Sequence, residues 1–136
     1  MKKIGKIILF ILTICIFFSA TGCNVPKAEK VNVSDIKVAA DTAAEKIFTG
    51  ISEEDYAKFS EDFDAQMKSA LAETKFKEIV GQLGTYESKE IIGADKMQGY
   101  TRAYYKTKFS KFSRDLTFTV VFSTAGDYKV SGLFYK

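Results

Sequence analysis

The stretch LTFTVVFS at residues 116–123 decides the fold class of this 136-residue chain. Its apolar residues alternate with threonine and serine, which is the period-two pattern of a strand with one buried face. A short connection at residues 124–127, containing glycine and aspartate, is typical of a hairpin, and residues 128–135 then read as a final strand. This half of the chain is therefore predicted to form antiparallel strands, with Val130, Gly132 and Phe134 on one side of the last strand.

The same period extends upstream as far as Gly84. Residues 85–92 are predicted as a strand, residues 94–96 as a turn, and residues 97–109 as a long strand rich in tyrosine. Residues 110–114 then turn the chain back toward the stretch at 116–123. The result is a predicted four-stranded antiparallel meander.

Before Gly84 the apolar residues follow a helical period instead. Residues 34–50 have apolar positions spaced by three and four, with Ser34 as the predicted N-cap and Gly50 as the stop. A second helix is predicted from Ser52, whose following acids resemble a capping box, with a break near residues 60–62 left open. Residues 73–83 form a further predicted helix. Helices followed by a meander indicate an α+β fold with the helices packed on one face of a curved sheet.

This element order, over residues 34–136, resembles the nuclear transport factor 2-like superfamily, and especially its small exported members in the domain-of-unknown-function 3887 family. The resemblance rests on the sequences DYAKF at residues 55–59, LGTY at 83–86 and KVSGLFY at 129–135. It implies a cone-shaped, nuclear transport factor 2-like or cystatin-like domain. Relatives use the concave space between helices and sheet for small ligands, for catalysis, or not at all, so the resemblance implies a scaffold rather than an activity.

The amino terminus has the pattern of an export signal. Lys2, Lys3 and Lys6 precede an apolar run at residues 7–18, and these 12 residues are fewer than the about 20 that a membrane-spanning helix needs. Residues 1–22 are therefore predicted to be a lipoprotein signal peptide. If the apolar segment is instead counted from residue 4 to residue 20, it has 17 residues, which is close to the shortest membrane-spanning helix. An uncleaved helix therefore remains the alternative.

The residues after the apolar run predict a lipid anchor. Ala20, Thr21 and Gly22 followed by Cys23 resemble the bacterial lipobox, although Ala20 stands where the motif usually has leucine. The resemblance implies that Cys23 is acylated and becomes the first residue after cleavage. Residues 23–33, which contain the chain's single proline, are predicted to be a tether, and residues 34–136 a single domain.

Charge and cysteine content agree with this division. The chain has 20 basic and 17 acidic residues, and removal of the three lysines of the leader leaves 17 basic against 17 acidic residues. A neutral domain gives no reason to expect nucleic-acid binding. Cys15 lies in the leader, so Cys23 is the one remaining cysteine and no disulfide is expected.

Histidine is absent from the chain, which excludes serine–histidine and cysteine–histidine catalysis. Relatives with isomerase or dehydratase activity pair an Asp or His base with a tyrosine, so an enzyme would here need an Asp/Tyr pair. The nearest candidates are Asp62 and Asp64 beside Tyr56, or Asp95 near Tyr100. The simpler interpretation places these acids at helix starts and turns facing water. Residues 61–64 lack the glycine turn and distal glutamate of a calcium loop, so neither a metal nor a cofactor is predicted.

Two further groups of residues have alternative interpretations. Residues 106–114 interleave basic and aromatic side chains, which suits an anionic wall polymer or lipid headgroups, but also suits charges that protect strands from aggregation. A set of aromatic residues either lines a ligand pocket or fills the core. This set comprises Tyr56, Phe59, Phe63, Tyr86, Tyr104, Phe118 and Phe134.

Together these features predict an extracytoplasmic lipoprotein, anchored to the cell membrane through acylated Cys23. Its domain is predicted to act by binding, without catalysis, either a small ligand or an envelope protein, with a homodimer left open. The alternative is a histidine-free isomerase- or dehydratase-like enzyme that uses an Asp/Tyr pair in the cone.

Overall fold

The computed structural model describes residues 26–124 and 127–136, and within them four helices and five strands. Their order confirms the predicted α+β class. The predicted signal peptide and lipidated cysteine lie outside the described residues. In chain order the elements are β1 (Glu29–Lys30), α1 (Val33–Glu53), α2 (Tyr56–Phe59), α3 (Ala65–Ala70), α4 (Glu73–Leu83), β2 (Tyr86–Met97), β3 (Tyr100–Phe109), β4 (Leu116–Ser123) and β5 (Val130–Tyr135).

The strands form one open antiparallel sheet in the order β1-β2-β3-β4-β5. It has five strands in the described chain rather than the predicted four. The additional strand is β1, in which Glu29 pairs with Lys96 and Lys30 with Asp95. Two residues carry no alternation pattern, which is why the sequence placed this strand inside the predicted tether.

The turn between β2 and β3 lies at Gln98 and Gly99, not at residues 94–96 as predicted. Both turn residues have positive φ, 52° and 79°. Two-residue turns of this kind match the right-handed twist of the flanking strands. Residues 94–96 continue β2, so the prediction of a turn there was wrong, and the predicted long strand 97–109 is shortened to β3.

Helix α1 begins and ends elsewhere than predicted. Asn32, not Ser34, is the N-cap, and its side-chain oxygen accepts a hydrogen bond from the Ser34 amide at 3.2 Å. The helix runs through Gly50 to Glu53, so the predicted stop at Gly50 and capping box at Ser52 were both wrong. Gly50 serves packing instead, since a Cβ there would lie 2.6 Å from the backbone nitrogen of Phe59.

The shorter helices are capped by carboxylates. Asp55 accepts a hydrogen bond from the Lys58 amide at the start of α2, and Asp64 accepts one from the Met67 amide at the start of α3. These two helices are separated at residues 60–64, the region where the sequence left a break open. Helix α4 ends at Leu83, as the sequence predicted. Gly84 follows it with a φ of 76°, which suits glycine.

The helices cover one face of the sheet. In β3 every second residue from Thr101 to Phe109 is buried against the helix layer, whereas the alternate residues are half-buried or exposed. We call the uncovered surface the open face. It is formed by Tyr100, Arg102, Tyr104, Thr119, Val121, Gly132 and Phe134.

A β-bulge changes which residues of β5 face the helices. The register between β4 and β5 shifts between Val121 and Phe122, so Val130 is buried while Gly132 and Phe134 face the other way. Leu133 and Tyr135 pack against the core instead. The prediction that Val130 and Phe134 share a side was therefore wrong, because a bulge inserts one residue and reverses the alternation.

Candidate functional site

The space between the helices and the sheet is occupied by aromatic side chains. Phe48, on α1, is fully buried. Its ring centroid lies 5.1 Å from that of Phe118, 5.4 Å from Tyr86, 5.9 Å from Phe109 and 6.1 Å from Tyr105. Edge-to-face and tilted contacts at these distances are those of a packed core.

A second aromatic group closes the part of this layer under the short helices. Phe59 lies 4.7 Å from Phe76 and 4.9 Å from Phe63, between ring centroids. Tyr56 packs against both Phe59 and Phe76, and its hydroxyl donates a hydrogen bond to the Leu71 carbonyl at 3.0 Å. The polar end of Tyr56 is therefore used within the fold.

The seven aromatic residues proposed from sequence do not surround one cavity. Phe59, Phe63 and Phe118 are buried in the core, and Tyr56 and Tyr86 pack against its edge. Tyr104 and Phe134 lie on the other side of the sheet, in the open face. The charged residues at alternate positions of β3, Arg102 and Lys106, were the available signal that Tyr104 faces away from the helices.

Two adjacent rows of side chains cross the open face. Register pairs Tyr104 with Thr119 and Thr119 with Phe134, and the next row runs from Arg102 through Val121 to Gly132. Phe134 is 64% exposed, and a Cβ on Gly132 would lie 3.2 Å from its ring and 3.2 Å from Val121. The missing side chain of Gly132 thus leaves room for the Phe134 ring to lie on the sheet surface.

A groove of about 290 Å³ runs beside Phe134, between the open face and helix α3. Its apolar lining includes Tyr100, Val121 and Met67. Ser131 also lines it, and the Ser131 hydroxyl is buried with no hydrogen-bond partner within the described residues. An unpaired buried hydroxyl costs stability, so Ser131 is a local cost of the fold at this groove.

A hydrogen-bonded cluster joins β2 to β3 on the open face. Arg102 donates to both carboxylate oxygens of Asp95, at 2.6 and 2.7 Å, and the Tyr104 hydroxyl donates to Oδ2 at 2.9 Å. The hydrogen bonds from Arg102, and then that from Tyr104, hold the pKa of Asp95 below its ordinary value despite partial burial. Burial and the bond to Asp95 raise the pKa of Tyr104. The cluster satisfies its own charges and orients Tyr104.

The acids proposed as catalytic from sequence have other partners. Asp62 forms an ion pair with Lys46 at 3.1 Å, Asp64 caps α3, and Asp95 bonds Tyr104 rather than Tyr100. Besides the pairing of Asp95 with Tyr104, the sequence missed an Asp/Tyr pair on the helix side, in which the Tyr105 hydroxyl donates to Asp41 at 3.0 Å. Tyr105 is fully buried, and this burial raises the pKa of its hydroxyl. The pair therefore anchors α1 to β3, with the phenol enclosed by the core.

The basic segment at residues 106–114 lies at the β3–β4 end of the sheet. Lys106 is paired with Asp115 at 3.2 Å and Lys108 with Glu87 at 3.5 Å, and Lys111 donates to the Gly81 carbonyl. Three lysines of this segment therefore already have partners within the fold. Across the described ranges 26–124 and 127–136, no three His, Cys, Asp or Glu side chains are grouped as a metal would require.

The described helices also include none that combines the length and apolarity needed to cross a bilayer. Fold and surface together define the class: an α+β protein whose helices close one face of an antiparallel sheet and leave the other face open.

The chain belongs to the family described as protein of unknown function (DUF3887), whose family model matches residues 44–133. The matched region begins within α1 and ends within β5, one residue before Phe134, so it includes most of the core and the part of the open face on β3 and β4. No curated protein and no solved structure matched this chain.

Proposed function

We propose that this protein is a lipoprotein, anchored to the extracytoplasmic side of the cell membrane through acylated Cys23, whose domain binds an envelope protein through the open face. The anchor is supported by the leader sequence: three lysines, a short apolar run, and small residues before the cysteine. The family match begins only at residue 44, downstream of these features.

One observation carries the binding proposal: the open face exposes aromatic residues beside an apolar groove, whereas the helix side of the sheet is filled. Phe134 and Tyr100 are 64% and 46% exposed, and both line the groove with Val121 and Gly132. Exposed aromatic residues grouped in this way mark interaction surfaces, and tyrosine is favoured there because its hydroxyl remains hydrogen-bonded.

A protein partner fits this surface better than a small ligand. Small-molecule sites are concave and enclose most of their ligand, but the space between the helices and the sheet is occupied here by the rings around Phe48 and Phe59. The groove beside Phe134 is open to solvent, and its lining includes the exposed rings of Tyr100 and Phe134. We do not adopt the enzyme alternative, because both Asp/Tyr pairs are used within the fold. The Tyr105 phenol is buried, and the Asp95 carboxylate already accepts hydrogen bonds from Arg102 as well as from Tyr104.

Kinship with the nuclear transport factor 2-like superfamily is also a proposal. It is supported by the element order and by the register shifts in β2 and between β4 and β5, since bulges increase sheet twist and curvature. An experimental structure superposed on such domains tests it: a common path for α1 and the four long strands is expected, and a different strand order in the experimental structure would refute it.

Fatty-acid labelling tests the anchor. Cells producing the wild type or Cys23→Ser are grown with a labelled fatty acid and then fractionated. We expect label and membrane retention in the wild type and loss of label in Cys23→Ser. Label retained by the variant would overturn the lipid anchor, and unlabelled membrane retention of both proteins would favour an uncleaved helix.

Native gel electrophoresis of detergent-solubilised membranes tests the binding face. The wild type should migrate as a complex larger than one chain, and Phe134→Asp should reduce it to the monomer. Val38→Asp is the matched control, because Val38 is also an exposed apolar residue, 81% accessible against 64% for Phe134, and it lies on α1 away from the open face. Equal migration of both variants, or loss of the complex only with Val38→Asp, would contradict the proposal. Purified protein that forms the same complex alone would identify the partner as a second copy.

A further inference from the structure

The segment that follows Cys23 joins the fold at one end of the sheet. Strand β1 pairs with Asp95 and Lys96, just before the turn at Gln98 and Gly99. The β4–β5 connection reaches the same place, because the Thr124 amide donates to the Gly99 carbonyl at 3.2 Å. We call this the tether end, comprising residues 27–30, 96–100, 124 and 127–129.

The opposite end of the sheet carries the turn between β3 and β4, at residues 110–115. Ten residues of β3 separate the two ends, which at about 3.3 Å per residue is roughly 33 Å. Cys23 precedes Glu29 by six residues, so the chain between them spans at most roughly 20 Å. A lipid on Cys23 would therefore hold the tether end close to the bilayer surface.

Exposed side chains at the tether end suit contact with lipid headgroups. Tyr100 is 46% exposed and Tyr128 43% exposed. Tyrosine is enriched where membrane meets water, because its ring is apolar and its hydroxyl polar.

Lysines accompany these tyrosines. Lys27, Lys30 and Lys96 are exposed, Lys129 is half-buried, and within the described part of the chain none of the four forms an ion pair. Lysines close to an anionic lipid surface are attracted to it.

The acidic groups facing this end are fewer. Glu29 and Asp127 lie in it, and Asp35 lies in the first turn of α1. The excess of positive charge is small, so the tyrosines supply most of the expected contact. The opposite end differs, because Lys106 and Lys108 are already paired with Asp115 and Glu87.

We propose that the tether end is a membrane-contacting surface, in which Tyr100 and Tyr128 sit at headgroup level and the β3–β4 turn points away from the bilayer. This inference rests on the proposed lipid anchor. It assigns the basic segment at residues 106–114 to the side facing away from the membrane. Tyr100 then marks the membrane-facing end of the groove, and Phe134, in the row of Thr119 and Tyr104 four residues farther along β3, lies farther from the bilayer.

The chain offers a clean experiment for this orientation. Residues 23–136 contain every helix and strand described, one cysteine and no tryptophan. Cys23 can therefore be coupled to a maleimide lipid in vesicles of phosphatidylcholine and phosphatidylglycerol with brominated acyl chains. Single tryptophans are placed by Tyr100→Trp and Tyr128→Trp at the tether end and by Ser113→Trp, at an exposed position, in the far turn.

Fluorescence of the Tyr100→Trp and Tyr128→Trp proteins should be quenched by the brominated lipids, and that of Ser113→Trp should be unchanged. Equal quenching at all three positions, or the strongest quenching at Ser113→Trp, would overturn the proposed orientation. Urea unfolding midpoints equal to that of the wild type confirm that each reporter protein is folded. Since the coupling is chemical, this result does not depend on acylation in cells, which the fatty-acid labelling tests separately.

Discussion

The two faces of the sheet both carry aromatic residues, but these are packed in the core on the helix side and partly exposed on the open face. On the helix side, Tyr105 and Phe118 are fully buried among other rings. On the open face lies Tyr104, the residue just before Tyr105 in β3. Its hydroxyl is hydrogen-bonded to Asp95 and its ring lies beside Arg102, whereas Phe134 is largely exposed. Neighbouring residues of one strand therefore contribute to stability on one face and to a surface on the other.

This difference indicates where function can reside in a small domain. Every aromatic ring packed inside adds to the free energy of unfolding, and on the helix side the ring of Phe48 is in contact with those of Tyr86 and Phe118. The open face makes a smaller contribution to stability, so its exposed aromatic residues call for another explanation. Substitutions on each face should separate the two roles.

The largest effect is expected at the centre of the helix side. Phe48→Ala removes a fully buried ring that contacts Tyr86, Tyr105, Phe109 and Phe118. We expect the free energy of unfolding, measured with urea, to fall by about 3–5 kcal/mol, since truncation leaves a cavity. A loss below about 1 kcal/mol would mean that the helix side is not packed as described, by the same cavity argument.

Two helical glycines offer the next comparison. Gly50→Ala should destabilise the fold by about 1–3 kcal/mol, because the new methyl would collide with the Phe59 backbone at 2.6 Å. Gly81→Ala, where nothing lies within 4 Å, should instead stabilise it by about 0.5–1 kcal/mol through helix propensity. Urea unfolding of both variants gives the answer. Opposite signs are expected, and an equal gain from both would show that α1 and α2 are not in close contact.

The cluster on the open face should contribute less. Asp95→Asn removes the charge that pairs with Arg102, and we expect a loss of roughly 1 kcal/mol at neutral pH, since the pair is partly exposed. Because the native fold lowers the pKa of Asp95, its stabilisation is present above the ordinary carboxyl pKa of about 4 and disappears as the pH falls through the lower native value. Urea unfolding of both proteins from pH 7 downward should show the two stabilities converging. A difference that persists below that range would assign the loss to packing rather than charge.

The smallest effect on stability is expected at Phe134. Phe134→Ala should change the free energy of unfolding by less than about 0.5 kcal/mol, because the side chain is 64% exposed. Thermal and urea unfolding measure it, with Phe48→Ala as the comparison. A loss above about 2 kcal/mol would show that Phe134 is part of the core and would leave the open face without its principal exposed ring, given typical values for surface sites.

The order of helices and strands was predictable because the periods in the sequence are strong. The alternation at residues 116–123 and the helical spacing at 73–83 each reappear within one residue of the expected bounds. Two of the errors came from glycine and aspartate, which have more than one structural use. Gly50 permits close packing rather than ending a helix, and Asp95 bonds Arg102 rather than forming a turn.

The candidate site was less predictable, because it depends on which face each strand presents. Tyr104 and Tyr105 are adjacent, and only the charged neighbours of Tyr104 indicate which one faces outward. At Phe134 a bulge reverses the alternation, because Ser131 has no partner between Val121 and Phe122. Gly132 beside it was the available signal, since a glycine within a strand often marks a bulge. The strand β1 is only two residues long and gave no pattern at all.

Photo-crosslinking in intact cells tests most directly whether the open face, and not the helix surface, binds a protein. A photoreactive benzophenone side chain is introduced in place of Phe134 in one protein and in place of Val38 in another, both positions being apolar and exposed, at 64% and 81%. We predict a covalent adduct with another polypeptide from position 134 and none from position 38. An adduct from position 38 with none from position 134 would contradict the assignment of the open face as the binding surface.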